Sequence, residues 1–139
     1  VQTCALPIYS KLCKKILEKN KNTFLSLGMY DYHKYGFPYE NYKNINYFYC
    51  ISKYPTNLDE LNLPNFSNSK FIGYSDHTIG IYACVYAIAK GASYIEKHFS
   101  LNKSMNINTQ MAHVCSMDFN DLIELRKFAD SFTLINSKF

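Results

Sequence analysis

Two histidines, His77 and His98, lie 21 positions apart, and each follows a short β-prone segment. Neutral imidazole is a common ligand for divalent ions, and two imidazoles on one ion leave coordination positions open for a substrate oxygen. An ion held that way can act as a Lewis acid on a carbonyl. A single histidine at a strand end is more often a hydrogen-bonded structural residue, so the chemistry depends on whether the two converge.

The residues around them decide this. Phe71 to Tyr74 is apolar and β-prone, and Ser75-Asp76-His77-Thr78 ends it with small polar residues suited to a loop and a helix cap. Ile81, Cys84, Val85 and Ile88 then recur at helical spacing, Gly91 sits where a left-handed helix stop is usual, and Ala92 to Lys97 is extended again. Strand, short helix and strand make a βαβ unit, whose strands run parallel with a right-handed connection. Parallel strands about 4.8 Å apart place both histidines on one carboxyl-terminal rim, where α/β proteins carry their chemistry.

The rest of the chain reads as more of the same architecture. Leu12, Cys13, Ile16 and Leu17 predict an outer helix from Tyr9 to about Lys19. Thr23 to Leu27 and Ile45 to Cys50 are strand-like, ended by Gly28-Met29 and by Ser52-Lys53-Tyr54-Pro55. Between them, Tyr30 to Asn44 supports at most short helical turns, and its tyrosines with Phe37 read as an aromatic cover, with His33 on the surface. Leu58 to Leu63 allows a short helix before Pro64, and residues 65–69 read as a loop. Asp118 is placed to cap a helix through about Ser131, with Phe119, Leu122, Leu125 and Ala129 on its apolar face.

Four motifs in this order carry a family resemblance: Leu25-Ser26-Leu27-Gly28-Met29, the run from Cys50 to Thr56, Gly73-Tyr74-Ser75-Asp76-His77-Thr78, and Ile95-Glu96-Lys97-His98-Phe99. Together they resemble the sialic acid synthase family, which condenses phosphoenolpyruvate with an N-acylated amino sugar. The resemblance implies an α/β fold, the carboxyl-terminal half of a TIM (β/α)8 barrel, with about four parallel strands and outer helices. It implies condensation of phosphoenolpyruvate with an N-acetylmannosamine-like acceptor to give a sialic or related nonulosonic acid, with release of the phosphate of phosphoenolpyruvate. In such enzymes C3 of phosphoenolpyruvate attacks the sugar aldehyde, water adds at C2 and phosphate leaves.

By the same resemblance His77 and His98 are the catalytic metal ligands, for a divalent ion that is typically Mn2+. Ser52 and Ser75 are expected to donate to the phosphate and Tyr54 to contact the sugar. Ser52 has a second reading as the cap of a Tyr-Pro turn. Asp76 and Glu96 flank the histidines and have two readings each: either they orient the imidazoles, or Asp76 caps the following helix and Glu96 pairs with Lys97. After Phe99 the family has an aspartate and a loop with glycine and aspartate that reaches the sugar. Here the run is Ser100-Leu101-Asn102-Lys103 and onward, so Asn102, Asn108 and Gln110 have two equal readings, as neutral replacement contacts or as a polar surface loop, and His113 is given no role.

Composition sets the limits. The 139 residues fall well short of the roughly 250 of a complete barrel. Val1 to Ile8 fits neither a family strand nor a helix and reads as a non-native leader, leaving 9–139 as a partial barrel domain. The family's phosphate-binding lysines and catalytic glutamates belong to the first barrel half, so this chain by itself is expected to be inactive. A net charge of +4, scattered along the chain, argues against a nucleic-acid partner. Five cysteines without a Cys-x-x-Cys pair fit reduced thiols and a cytoplasmic location, and no apolar run is long enough for a membrane span. The resemblance implies a homodimeric full-length enzyme, joined through a domain outside this chain. Two other readings remain: a different metal-dependent TIM-barrel lyase or isomerase, and a non-catalytic remnant of the family.

Overall fold

The computed structural model describes residues 2–3, 10–19, 21–103 and 114–137. Its strands are β1 (Gln2–Thr3), β2 (Thr23–Ser26), β3 (Ile45–Cys50), β4 (Phe71–Asp76) and β5 (Tyr94–Lys97). Its helices are α1 (Ser10–Leu17), α2 (Tyr32–Tyr35), α3 (Tyr82–Ala89) and α4 (Phe119–Asn136), with single 3-10 turns at Leu58–Glu60 and Phe66–Asn68. Every strand pairs in parallel with its sequence neighbour, in the order β1-β2-β3-β4-β5. The expected βαβ unit is therefore present as β4, α3 and β5. The expectation that the first eight residues contribute no strand is corrected for Gln2 and Thr3, which pair with Phe24 and Leu25.

The sheet curls like half of a (β/α)8 barrel. In a flat sheet β2 and β5 would lie about 14 Å apart, three strand spacings. Instead the Phe24 and Tyr94 rings are 5.1 Å apart between centroids, and Ser26 Oγ donates to Glu96 Oε2 at 3.3 Å. Only strong curvature closes that gap. On the concave side, alternate residues form tiers: Phe24, Phe48 and Tyr94 pack ring against ring. Above them come Ser26, Cys50, Ser75 and Glu96, then Ser52, His77 and His98 at the carboxyl rim. Layering of this kind is how barrel interiors fill.

Gly73 makes the lowest tier possible. A Cβ there would stand 2.7 Å from the Tyr94 carbonyl oxygen and 2.8 Å from the Phe48 ring. The carbonyl belongs to the neighbouring strand and cannot move aside without breaking the ladder. Gly73→Ala is expected to destabilise the fold by about 1–3 kcal/mol, the usual cost of overpacking. Urea unfolding checks this, and an unchanged midpoint would show that β4 and β5 can separate freely.

The convex side holds the main core. Leu25, Leu27, Tyr47, Tyr49, Phe71 and Tyr74 pack against Leu63, Phe66, Ala83 and Ala87. As expected, residues 30–44 supply an aromatic cover: Tyr32 and Phe37 meet Phe71, Phe37 also meets Tyr47, and the Tyr47 hydroxyl donates to the Pro38 carbonyl. His33 is exposed. A second cluster joins Ile81, Cys84 and Leu125 with Val85, Ile88 and Met117, tying α3 to α4.

Two helices differ in detail from expectation. In α1 the buried face is Cys13 and Leu17 with Ile16 half-buried, while Leu12 is exposed. Asp118 does cap α4, with its side chain on the Asp121 N–H and Asp121 returning to the Asp118 N–H. That helix runs to Asn136 rather than stopping near Ser131, and Phe119 is exposed because only Leu125 of its expected face is fully buried. No helix among the described residues is long and apolar enough to cross a membrane.

Candidate functional site

The tiers deliver both histidines to one cleft of about 370 Å³, lined by Tyr54, Ser75, Asp76, His77, Glu96, Lys97 and His98. His77 leaves β4 and His98 leaves β5, strands in direct register from Gly73 with Tyr94 to Asp76 with Lys97. Their rings are 5.9 Å apart between centroids. Tyr54 contacts both, 4.0 Å from the His77 ring and 5.7 Å from that of His98. His77 is buried, and His98 is exposed at the open side of the cleft.

His77 is held in one tautomer. Its Nδ1 lies 2.7 Å from the Ile51 carbonyl oxygen, which can only accept, so Nδ1 carries the proton and Nε2 keeps its lone pair. A carbonyl behind a ligating imidazole is a standard arrangement for fixing tautomer and ring orientation. Burial lowers the His77 pKa, the Ile51 carbonyl opposes this, and the nearby His98 lowers it further, so the net shift favours the neutral ring. The donor set therefore suits a divalent ion held by two imidazoles and water. Among the described residues no group of three histidine, cysteine, aspartate or glutamate side chains is arranged around a metal position.

The other expected residues divide by face. Ser75 is buried and lines the cleft. Ser52 is exposed at the same rim over Gly28 and does not line the cleft. Glu96 lies on the concave side with Ser26. Asp76 and Lys97 border the cleft by their place in the strands, but their fully buried side chains meet on the convex side with Tyr74 and Cys84, because neighbours along a strand point to opposite faces. The Asp76 carboxylate therefore makes no bond to the His77 ring, and the Ile51 carbonyl holds Nδ1 instead. Nor does Asp76 cap α3, whose N-cap is Ile81, without a side-chain cap.

Asp76 instead anchors a buried network. Its Oδ1 accepts from Tyr74 Oη at 2.9 Å and the Thr78 N–H at 2.8 Å. Its Oδ2 accepts from Thr78 Oγ1, Cys84 Sγ and, at 2.6 Å, Lys97 Nζ. Both partners of the Asp76–Lys97 ion pair have fully buried side chains. This corrects the expected Glu96–Lys97 pair: adjacent residues of one strand face opposite ways, whereas Lys97 and Asp76 are register partners on the same face. Burial alone would raise the Asp76 pKa, but Lys97 and the hydrogen bonds outweigh it and hold the carboxyl below its ordinary value. Burial and the Asp76 carboxylate push the Tyr74 hydroxyl and the Cys84 thiol far up.

Two residues that lie within the motifs, Lys97 and Cys50, take places that their residue types do not announce. Lys97, expected as a partner of Glu96, pairs with Asp76. Cys50 Sγ lies 3.8 Å from His77 Nδ1, and burial pushes its thiol up to about 11, so it is a neutral filler of the middle tier. Asn102 closes a short turn with Ser100. Asn108, Gln110 and His113 lie outside the described residues.

Known proteins share the fold and the family. The model of the NeuB family matches residues 8–136. The chain is 39% identical over 104 residues to an uncharacterized protein of Methanocaldococcus jannaschii, covering 68% of this chain and 31% of that protein. It is 36% identical over 105 residues to the N,N'-diacetyllegionaminic acid synthase of Campylobacter jejuni, covering 67% of this chain and 31% of the enzyme. The crystal structure of N-acetylneuraminic acid synthetase from Leptospira borgpetersenii, in complex with citrate, superposes with a TM-score of 0.79 at 24% identity, over 97% of this chain and 49% of that one. The chain thus spans about a third of the length of the curated relatives it matches.

Proposed function

The chain belongs to the NeuB family, and from that membership we propose that it forms the histidine-bearing rim of a synthase joining phosphoenolpyruvate to an N-acylated amino sugar. The products are a nonulosonic acid and phosphate. The observation that carries the reading is the convergence of His77 and His98 on one rim cleft, with the Ile51 carbonyl holding His77 in the tautomer that leaves Nε2 available.

In this reading His77 and His98 hold a divalent ion, Mn2+ being the expected one. When bound, such an ion polarises the aldehyde oxygen of the open-chain sugar. The protein's own groups do the rest of the positioning. Ser75, buried beside the histidines, donates its hydroxyl to the phosphate of phosphoenolpyruvate, and Ser52 supplies a second donor from the rim. Tyr54, which packs on the His77 ring and lines the cleft, contacts the sugar in this reading. Neutral Cys50 adds no charge to repel an anionic substrate.

The test uses a polypeptide of family length that carries this segment. Phosphate release is measured with phosphoenolpyruvate, N-acetylmannosamine and Mn2+, with each omitted in turn. Release that requires all three is expected. Metal binding without consumption of phosphoenolpyruvate would assign the cleft to a different barrel lyase or isomerase, and neither metal nor phosphoenolpyruvate binding would mark a non-catalytic relative.

A further inference from the structure

We propose that the buried pair of Lys97 and Asp76 is a positioning device that sets the spacing of the two histidines from the opposite face of the sheet. The inference rests on His77 and His98 being the ligand pair. Lys97 Nζ donates to Asp76 Oδ2 at 2.6 Å and to the Thr78 carbonyl at 2.8 Å. Those are the residues on either side of His77. Lys97 itself directly precedes His98. One ammonium group therefore holds the chain before and after one histidine, while its own backbone carries the other.

The position within the sheet explains why a clamp is needed there. Asp76 with Lys97 is the last register pair of β4 and β5. Beyond it the two strands give way to loops, so no hydrogen bond of the β4–β5 ladder fixes the direction in which His77 and His98 leave. The outer flanks are held separately: the Thr56 N–H donates to the His77 carbonyl at 2.9 Å, and the Met117 N–H to the His98 carbonyl at 2.8 Å. Between the two histidines the Lys97 bonds bridge the strand ends.

The chemistry of the pair points the same way. A buried ion pair contributes little net stability compared with apolar side chains of equal volume, because desolvation offsets the attraction. Packing alone would serve the core as well. What packing cannot supply is direction, and here the carboxylate is saturated by donors from Tyr74, Thr78, Cys84 and Lys97, on β4, the following loop, α3 and β5. Such a network has one geometry. Partners that orient metal ligands from behind typically change metal affinity by about 10- to 100-fold when removed.

The test compares the wild-type chain with the double variant Asp76→Asn/Lys97→Met, which leaves no unpaired buried charge. Affinity for Mn2+ alone is measured by titration, thermal unfolding reports the fold, and the nuclear Overhauser effect between the His77 and His98 rings reports their spacing without metal. A folded double variant with Mn2+ affinity lowered about 10- to 100-fold and a weakened ring-to-ring signal supports the clamp. A folded variant with wild-type affinity and wild-type signal overturns it. Should that variant not fold, Lys97→Arg keeps the charge balance but places a longer, planar group in the same closed space; unchanged ring spacing there also overturns the proposal. If the wild type binds no Mn2+, the metal assignment fails, and the ring-to-ring signal alone decides the clamp.

Discussion

His77→Ala is expected to lower Mn2+ affinity by more than about 100-fold, beyond the effect typical of a residue that only orients a ligand, and to abolish phosphate release in a family-length protein. Two effects must be separated in that variant. Loss of the imidazole removes Nε2, but it also leaves the Ile51 carbonyl without its donor and empties the space beside Tyr54. An orphaned buried acceptor costs about 1–3 kcal/mol, so some loss of stability accompanies the loss of binding. His98→Ala resolves the ambiguity because His98 is exposed. It should lose Mn2+ affinity to a similar extent while its unfolding temperature stays near that of the wild type. Calorimetric titration of both variants checks this, and retention of wild-type affinity in both would remove the histidine pair from the metal site.

The second large effect concerns stability. Lys97→Met leaves Asp76 buried without its cation, and breaking a buried pair from one side costs about 3–5 kcal/mol. The pH dependence has a definite sign. In the wild type the Asp76 carboxyl is held below its ordinary value, so its contribution is present above the unfolded-state pKa of about 3.9 and is lost as pH falls through the lower folded-state value. In the variant Lys97 no longer offsets burial, so the folded-state pKa rises and the folded form takes up a proton more readily than the unfolded chain. Protonation then favours folding of the variant while it weakens the wild type. The stability gap should accordingly be widest near neutral pH and narrow as the solution is acidified. Chemical denaturation at pH 7 and near pH 4 tests it; a gap that is constant with pH would show that Asp76 is not ionised in the fold. The double variant described above should show much less of this loss, since it buries no unpaired charge.

Much of this arrangement is legible in local sequence because it depends on local physics. Ile45 to Cys50 forms a strand over the residues expected, since its alternating β-prone side chains suit both faces of a packed sheet. Ile81, Cys84, Val85 and Ile88 share one helical face by periodicity alone, and Gly91, at a φ of 91°, ends that segment in the left-handed conformation expected of it. Strand alternation also assigns faces. Ser75 and His77 differ by two positions and share a face, as do Glu96 and His98, whereas Asp76 and Lys97 belong to the other. That parity excludes Asp76 as the partner of His77.

Sequence by itself thus determined the parallel βαβ unit, the rim that receives His77 and His98, and the family whose motifs surround them. Tertiary structure decided which groups serve those histidines. The Ile51 carbonyl behind His77 is a backbone atom and has no signature in residue type. The contact between Ser26 and Glu96 joins residues 70 positions apart and exists only because the sheet curls. The pairing of Lys97 with Asp76 requires β4 and β5 to adopt one register, and a slip of one residue would turn Lys97 toward the cleft. Periodicity and composition act over a few residues, while register and curvature arise from packing the whole sheet against its helices.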